Sequence, residues 1–355
     1  MPVTLREIAS QLNLSAGLVS KVLNDRPGVW ASQETQARIR RAARELNYHP
    51  HAAARALRSG KTCVVALVIL RSSSPHQRWD YGAAFEGLAE GLGDMGYRLL
   101  TLVQPDQEAV LACLRELVHT RSCDAVVLWG PEALVEAQGE LLEEAEMPFV
   151  TNGRHEERHP HWPQVDFDHE RLMSQVVGHF IALGRRRIAY VGFNTGGIFR
   201  GRLCAGFLGA MERAGLPVPA AFRVELPGDD LEAVERQMDD WLSLPAGEQP
   251  DAVAVGANNA TWQGIELALL RRGRRIGEAP GEFAVAGQSF FHHVLMFGQG
   301  LAYRELETHY LSDAAVASLL RPLLTGREPE RRIVRLSPEL RPLPSLRLQE
   351  RIPIS

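Results

Sequence analysis

Residues 4–24 constrain this chain more than any other stretch, because they fit two short helices joined by a tight turn. Asn13 and Leu14 interrupt the helical pattern, and Ser15 is a good N-cap for a second helix that begins near Ala16. The first helix is predicted by apolar residues at helical spacing, namely Leu5, Ile8, Ala9 and Leu12.

The second helix has one apolar side and one small, polar, cationic side. Its inner side is predicted to hold Leu18, Val19, Val22 and Leu23, and its outer side Ala16, Gly17, Ser20, Lys21 and Asn24. A helix that reads DNA in the major groove needs slim residues near its N-terminus and donors for bases and phosphates. The pattern therefore favours a DNA-reading helix, although this stretch alone also fits an ordinary amphipathic hairpin.

A third helix and a linker follow. Ser32 is predicted to cap a helix that runs to about Asn47, with apolar residues on one side and arginines around it, and three helices make a small domain. Residues 51–61 are alanine-rich and cationic, with Leu57 as their one large apolar residue. A helix this short is marginal in water, so we expect it to fold on a partner and to insert Leu57 between base pairs.

Three stretches carry a family resemblance: TLREIASQLNLSxxxVSKVLN, ETQARIRRAARELNYHP and AxxARALRSGKT. They resemble the DNA-binding headpiece of the lactose-repressor family of bacterial transcription regulators. The chain has Leu18 where such headpieces have threonine and His51 where they have asparagine, and two residues are inserted around Trp30 and Ala31.

The resemblance implies a three-helix helix-turn-helix headpiece at residues 1–49 and a hinge helix at 50–61. Together, the helical pattern and the resemblance give the following candidate DNA-binding residues: Thr4, Leu5, Ser15, Ala16, Gly17, Ser20, Lys21, Asn24, Tyr48, His51, Ala54, Arg55 and Leu57.

Charge is divided unevenly along the 355 residues. Residues 1–60 hold nine lysines and arginines against four acidic residues, a net charge of +5, which leaves −9 for the remainder of a chain whose total is −4. A basic head on an acidic body suits a protein whose head alone contacts a polyanion, although general arginine richness is an alternative explanation.

The four cysteines show no spacing typical of a zinc site, so we expect them to be small buried residues, and no metal or cofactor is expected. The N-terminus lacks the apolar segment of a signal peptide, and no apolar run approaches the ~20 residues of a membrane span. A soluble, cytoplasmic protein is predicted.

From Thr62 onward, strand-like and helix-like stretches alternate in two series, which predicts parallel sheets with helices on both faces. The pattern predicts these strands: 63–70, 98–103, 124–129, 148–152, 187–193, 252–256 and 283–287. It predicts these helices: 81–95, 106–120, 132–145, 169–183, 202–214, 230–243 and 260–272. A proline- and histidine-rich stretch at 155–163 separates the series.

This body also resembles the family, through GHFIALGRRRIAYVG and ANNATWQGIELALLRRG, and residues 62–355 are therefore predicted to form a two-lobed α/β effector domain similar to periplasmic sugar-binding proteins. Lobe 1 is predicted at about 62–155 and 301–322, and lobe 2 at about 163–290 and 331–348. The resemblance and the strand ends give these candidate effector-binding residues: Trp79, Tyr81, Arg202, Asn258 and Ser289. A turn asparagine and ordinary packing of the two aromatic rings are the alternatives.

The stretches of this chain that resemble enzyme motifs are incomplete. Gly287-Gln288-Ser289 follows a strand like a nucleophile elbow, but Phe291 stands where the second glycine is needed. Asp166 and Asp168 fit a metal pair, yet a helix cap explains Asp168 more simply. No dinucleotide, phosphate-loop or zinc-protease motif occurs, so the chain is predicted not to be an enzyme.

The sequence thus predicts a homodimeric, DNA-binding transcriptional regulator, a repressor that reads a roughly palindromic operator and responds to a sugar-like effector. The alternative is a cytoplasmic carbohydrate-binding or carbohydrate-modifying protein with a vestigial headpiece.

Overall fold

The chain forms two compact units, Met1–Thr62 and Cys63–Ser355, called the headpiece and the body below. The computed structural model describes residues 3–23, 30–48, 56–57, 59–71, 85–130, 132–153, 155, 157–193, 198–226, 230–256, 259–289, 301–337 and 339–342.

Among its described residues, the headpiece contains the helices α1 Leu5–Leu12, α2 Ala16–Leu23 and α3 Gln33–Glu45. Side chains at helical spacing supply its core, which is formed by Ile8, Ala9, Val19, Val22, Ile39, Ala42 and Ala43. Ser32 caps α3 as predicted, because its side chain accepts a hydrogen bond from the Thr35 backbone. Three short helices are stable here because each buries one face against the other two.

The body alternates strands and helices around two sheets. Its described strands are β1 Val64–Leu70, β2 Arg98–Gln104, β3 Ala125–Leu128, β4 Phe149–Asn152, β5 Gln164–Phe167, β6 Ile188–Phe193, β7 Arg223–Leu226, β8 Ala252–Gly256, β9 Ala284–Ser289, β10 Leu301–Arg304, β11 Ile333–Leu336 and β12 Arg341–Pro342. Its described helices are α4 Glu86–Gly93, α5 Gln107–Thr120, α6 Glu132–Glu144, α7 His169–Ala182, α8 Ile198–Arg213, α9 Leu231–Ser243, α10 Asn259–Arg271 and α11 Glu305–Leu323.

The first sheet has the order β11-β5-β4-β3-β1-β2, with every described pairing parallel. The second has the order β12-β10-β9-β8-β6-β7, in which the short β12 runs antiparallel to β10. The predicted parallel α/β architecture is therefore confirmed.

Strand β1 shows why its sequence is an uninterrupted apolar run. Val65, Leu67 and Ile69 pack in the core that α4 and α11 cover, whereas Ala66 and Val68 pack in the core that α5 and α6 cover. Successive side chains point to opposite faces of a sheet, so a strand covered on both faces needs apolar residues throughout.

Strand pairing corrects the predicted division into lobes. Residues 164–167 and 333–336 had been assigned to lobe 2, but β5 and β11 belong to the first sheet. Residues 301–304 had been assigned to lobe 1, but β10 pairs with β9 in the second sheet, while α11 packs against the first. The chain therefore crosses between the lobes several times. The predicted division was wrong because strands of four residues, such as β5, are too short to show a periodicity in the sequence.

Two smaller expectations also change. Cys63 is exposed, Cys113 and Cys204 are half-buried and Cys123 is buried, so the prediction that all four are buried is wrong. Helix α8 begins at Ile198, four residues before its predicted start. Across the described residues, no helix combines the length and apolar character needed to cross a membrane.

Candidate DNA-binding face and candidate effector cleft

Helix α2 presents a narrow exposed face. Gly17 and Lys21 are exposed, Ser20 is half-buried, and Val19 and Val22 are buried beneath them. A Cβ atom added at Gly17 would meet no heavy atom within 4 Å, so the backbone is open to solvent there. This is the slim, cationic surface predicted for a helix that enters the major groove.

The structure corrects the predicted position of Ala16 on α2. It had been assigned to the outer side of α2, but it is half-buried and packs against the headpiece core. The reason is its position at the first turn, where the connection from α1 returns the chain toward the core. Leu5 and Tyr48, two further candidates for DNA contact, also pack partly against this core.

Two of the predicted DNA-binding hydroxyls cap helices. Thr4 forms a capping box with Glu7, in which the Glu7 backbone donates to Thr4 Oγ1 at 3.3 Å and the Thr4 backbone donates to Glu7 Oε2 at 2.7 Å. The Leu18 backbone donates to Ser15 Oγ at 3.2 Å, which confirms Ser15 as the cap of α2. A hydroxyl oxygen can accept this bond and still donate its own proton.

The described part of the headpiece has further exposed cationic and apolar side chains. Arg38, Arg40, Arg41 and Arg44 are all exposed on α3. Leu57 is 90% exposed, as expected of an apolar residue without a core of its own, and Trp30 is 97% exposed. Four further DNA-binding candidates lie outside the described residues: Asn24, His51, Ala54 and Arg55.

In the body, polar and aromatic side chains gather where strands of the first sheet end. Trp129 follows β3 and meets Phe85 edge to face, with ring centroids 5.9 Å apart. Asn152 is the last residue of β4, and Asp166 lies near the end of β5. The carboxyl ends of parallel strands share one edge of a sheet, and small ligands bind at that edge in open α/β folds.

A buried ion pair joins the two lobes at this edge. Arg202 Nη1 donates to Asp166 Oδ2 at 2.5 Å, and the two residues are 8% and 7% exposed. Asp166 belongs to the first sheet, whereas Arg202 lies on α8, which follows β6 of the second. Within the described part of the chain, the buried Arg202 Nε has no hydrogen-bond partner, so the guanidinium has a donor to spare.

Two buried imidazoles lie near this pair. His169 Nε2 is 4.0 Å from Asp166 Oδ1, and burial, with the charge of Arg202, lowers the pKa of His169 to about 3. Burial lowers the pKa of His155 to about 4; Glu136 opposes this shift, while His159 and Arg202 add to it. Both imidazoles are therefore neutral at pH 7. The junction of the two lobes at the Asp166–Arg202 pair is called the seam below.

The predicted effector residues are only partly placed by the structure. Arg202 lies at the seam, bound to Asp166, and Ser289 ends β9 at the corresponding edge of the second sheet. Trp79, Tyr81 and Asn258 lie outside the described residues. Asp168 caps α7 by accepting from the Arg171 backbone at 2.9 Å, so the simpler interpretation of that carboxylate is confirmed.

Four residues of this edge were not predicted from the sequence as candidates for effector contact: Phe85, Trp129, Asn152 and Asp166. The available signal was their position, since Trp129, Asn152 and Asp166 lie at or near the ends of apolar strands. The partner of Asp166 could not be inferred, because Arg202 is 36 residues away on another lobe.

The sequence matches two family descriptions. Residues 4–51 match "Bacterial regulatory proteins, lacI family", and residues 62–331 match "Periplasmic binding proteins and sugar binding domain of LacI family". The transcriptional regulator AglR of Rhizobium meliloti is 30% identical over 278 residues, which cover 78% of this chain and 76% of AglR. The regulator MalR of Streptococcus pneumoniae is 28% identical over 194 residues, which cover 54% of this chain and just 57% of MalR.

Two solved structures share the fold over nearly the whole chain. The Lac repressor bound to ONPG has a TM-score of 0.74 at 20% identity, covering 96% of this chain and 98% of the repressor. The complex of the transcriptional regulator CelR with cellobiose has a TM-score of 0.64 at 22% identity, with the same coverage. At these identities the likeness establishes the fold and nothing finer.

Proposed function

Because the chain belongs to the lacI family of bacterial regulatory proteins, we propose that it is a DNA-binding transcriptional regulator, a repressor controlled by a small-molecule effector. The observation that carries this proposal is the exposed face of α2, where Gly17 and Lys21 lie on a headpiece rich in exposed arginines. Slim residues beside a cation suit entry into a major groove, and the basic surface suits the phosphates on either side.

The DNA site is proposed to be roughly palindromic and bound by a homodimer. Helix α2 has eight residues, so a single copy reaches few base pairs. Two copies related by a two-fold axis read two half-sites, which supplies the specificity that one short helix lacks.

The effector is proposed to be a sugar or a sugar derivative bound between the lobes. A sugar presents apolar ring faces and hydroxyl groups, which match an aromatic pair, an amide and a charged pair. Phe85, Trp129, Asn152, Asp166 and Arg202 supply these groups along one edge of the first sheet. CelR, a fold neighbour, was solved with cellobiose, which supports this class of ligand.

Gel shifts of the full-length chain with fragmented genomic DNA test the regulator proposal, and binding to a few fragments at physiological salt is expected. Lys21→Ala should weaken binding to such a fragment by about 1–3 kcal/mol if Lys21 reads a base. Arg98→Ala removes an exposed cation from the body and is the matched control. If no fragment is shifted, the alternative function, a carbohydrate-binding protein with a vestigial headpiece, is favoured.

The hinge is proposed to couple the effector to DNA. Leu57 has no core to join, so we expect it to enter the minor groove and bend the duplex, and Leu57→Ala should reduce both bending and affinity. An effector that changes DNA affinity must have its own affinity changed by operator DNA by the same factor, typically 5–150-fold. Equal effector dissociation constants with and without operator would show that the body does not control the headpiece.

A further inference from the structure

Asp124 joins the starts of three strands of the first sheet. Its Oδ2 atom accepts a hydrogen bond at 2.8 Å from the backbone N–H of Cys63, the residue before β1, and its own N–H donates to the Val64 carbonyl at 2.8 Å. Tyr97, the residue before β2, also hydrogen-bonds the Asp124 side chain. Burial, together with the charge of Asp124, raises the pKa of Tyr97 to about 12, so its hydroxyl keeps the proton that it donates.

Cys63 is the residue at which the headpiece joins the body. The two units divide between Thr62 and Cys63, so a movement of the body reaches residues 50–61 through Cys63. Its backbone has a φ of +56°, in the left-handed region that side chains other than glycine rarely adopt, and its carbonyl accepts from the Arg98 backbone at 3.0 Å. Hydrogen bonds to both its N–H and its carbonyl therefore hold Cys63 in one defined position.

Asp251 makes the same arrangement in the second sheet. It precedes β8 as Asp124 precedes β3, its carboxylate accepts from the Arg186 backbone at 3.1 Å, and its N–H donates to the Arg187 carbonyl at 2.8 Å. An aspartate at this position thus fixes the chain that enters a neighbouring strand. In lobe 2 the entering chain comes from α7, whereas in lobe 1 it comes from the headpiece. The same local structure therefore has a different consequence in each lobe.

Strand β3 connects Asp124 to the candidate effector edge. Asp124 immediately precedes β3, and Trp129 immediately follows it. The strand residues between them, Ala125–Leu128, are all buried, and five residues of extended chain span about 16 Å. Because buried, closely packed strands move as rigid elements, a displacement of Trp129 also displaces Asp124, and the Asp124 carboxylate passes it to Cys63.

We propose that Asp124 is the positioning residue through which lobe 1 controls the chain that leads to the headpiece. The inference rests on the proposed function, in which the body regulates DNA binding, and it assigns a residue to that coupling. A movement of β3 caused by an effector changes where Cys63 is held, and with it the point from which residues 50–61 start. By linkage, DNA bound to the headpiece must act back on β3 through the same carboxylate.

Hydrogen exchange of the full-length chain, with and without a genomic fragment that it shifts in a gel, tests this role. In the parent, the fragment should slow exchange of the Ala125–Leu128 amides about fivefold or more. In Asp124→Ala, the fragment should still protect α2 but no longer β3, because Cys63 is released. Asp124→Asn, whose side-chain oxygen can accept from Cys63, should restore the effect. Asp251→Ala breaks the matching contact in lobe 2 and should respond like the parent.

An Asp124→Ala chain in which DNA still slows exchange of β3 overturns the inference. An equal loss in Asp251→Ala also overturns it, because the effect is then one of general stability. If Asp124→Ala does not fold, Tyr97→Phe removes one of the two hydrogen bonds to Asp124 and should weaken the effect, and an undiminished effect overturns the inference. Protection confined to the headpiece of the parent overturns it and leaves the DNA-binding proposal standing. A parent that shifts no fragment overturns the proposed function, and this inference with it.

Discussion

The headpiece and the body place their candidate binding groups in opposite environments. Gly17, Lys21 and the arginines of α3 lie on the outside of a small core. Asp166 and Arg202 are buried where the two lobes meet. A long, charged polymer is bound from outside, whereas a small ligand is bound by enclosing it. Removing an exposed side chain such as that of Lys21 from the headpiece face should therefore weaken binding with little effect on stability, and substitutions at the seam should change stability as well.

The largest effect is expected at the seam. Arg202→Met leaves the Asp166 carboxylate buried without its partner, which should cost about 3–5 kcal/mol in the unfolding free energy of the body. Replacing both residues, as in Asp166→Leu with Arg202→Met, removes the stranded charge and should recover most of that loss. Urea denaturation measures the unfolding free energy of the single and the double variant. Arg98→Met, on the surface, should have almost no effect.

A double variant no more stable than Arg202→Met would contradict this prediction, because it would show that the cost lies in lost packing and not in an unpaired charge. The headpiece should keep its DNA affinity in all these variants, apart from any effect that passes through lobe movement.

The next effect tests whether the two units fold separately. Ile8 is fully buried in the headpiece, and Ile8→Ala should cost about 2–5 kcal/mol, enough to unfold a unit with so small a core. DNA binding should be lost while the thermal transition of the body stays in place. Leu92→Ala, at an equally buried site in the body, is the matched control. It should lower the temperature of the body's thermal transition and leave the headpiece folded. Hydrogen exchange of the helix amides distinguishes the units.

Lowering the pH should destabilise the body in particular, because the buried histidines with lowered pKa values, His155 and His169, belong to it. His155 and His169 have folded pKa values of about 4 and about 3, below the ordinary value of 6.5. The unfolded chain therefore binds protons that the folded body does not, and stability falls as pH drops below about 6.5. Between pH 7.5 and 5, each should cost about 2 kcal/mol.

Denaturation of the body at several pH values measures this slope. In His155→Gln, the unfolding free energy of the body should fall less steeply below pH 6.5 than in the parent. Replacing the exposed His119 should leave this pH dependence unchanged. A parent whose body keeps its full stability at pH 5 would contradict the assignment.

The same contrast explains how far sequence could predict this molecule. The bounds of α1 and the start of α2 match their predicted positions, because caps and apolar spacing are local signals held within eight residues. The seam depends on strands such as β5, four residues long, and on a pair of residues 36 positions apart. Nothing local marks Asp166 as the partner of Arg202, and the crossing of β10 and β11 between sheets is set by tertiary pairing alone.

The smallest effect is expected from Gly17→Ala, which should change headpiece stability and DNA affinity in opposite directions. Gly17→Ala adds a methyl group on α2 that meets no heavy atom within 4 Å, so the headpiece should gain about 0.5–1 kcal/mol from the better helix former. If the backbone at Gly17 approaches base edges, that methyl group should weaken DNA binding even as it stabilises the fold. Gly178→Ala on α7, also exposed and open, is the matched control that should stabilise the body and leave DNA affinity unchanged. Thermal unfolding and gel shifts on the three chains measure both quantities. A Gly17→Ala chain that is more stable and binds DNA as tightly as the parent would move the DNA-reading surface away from this face of α2.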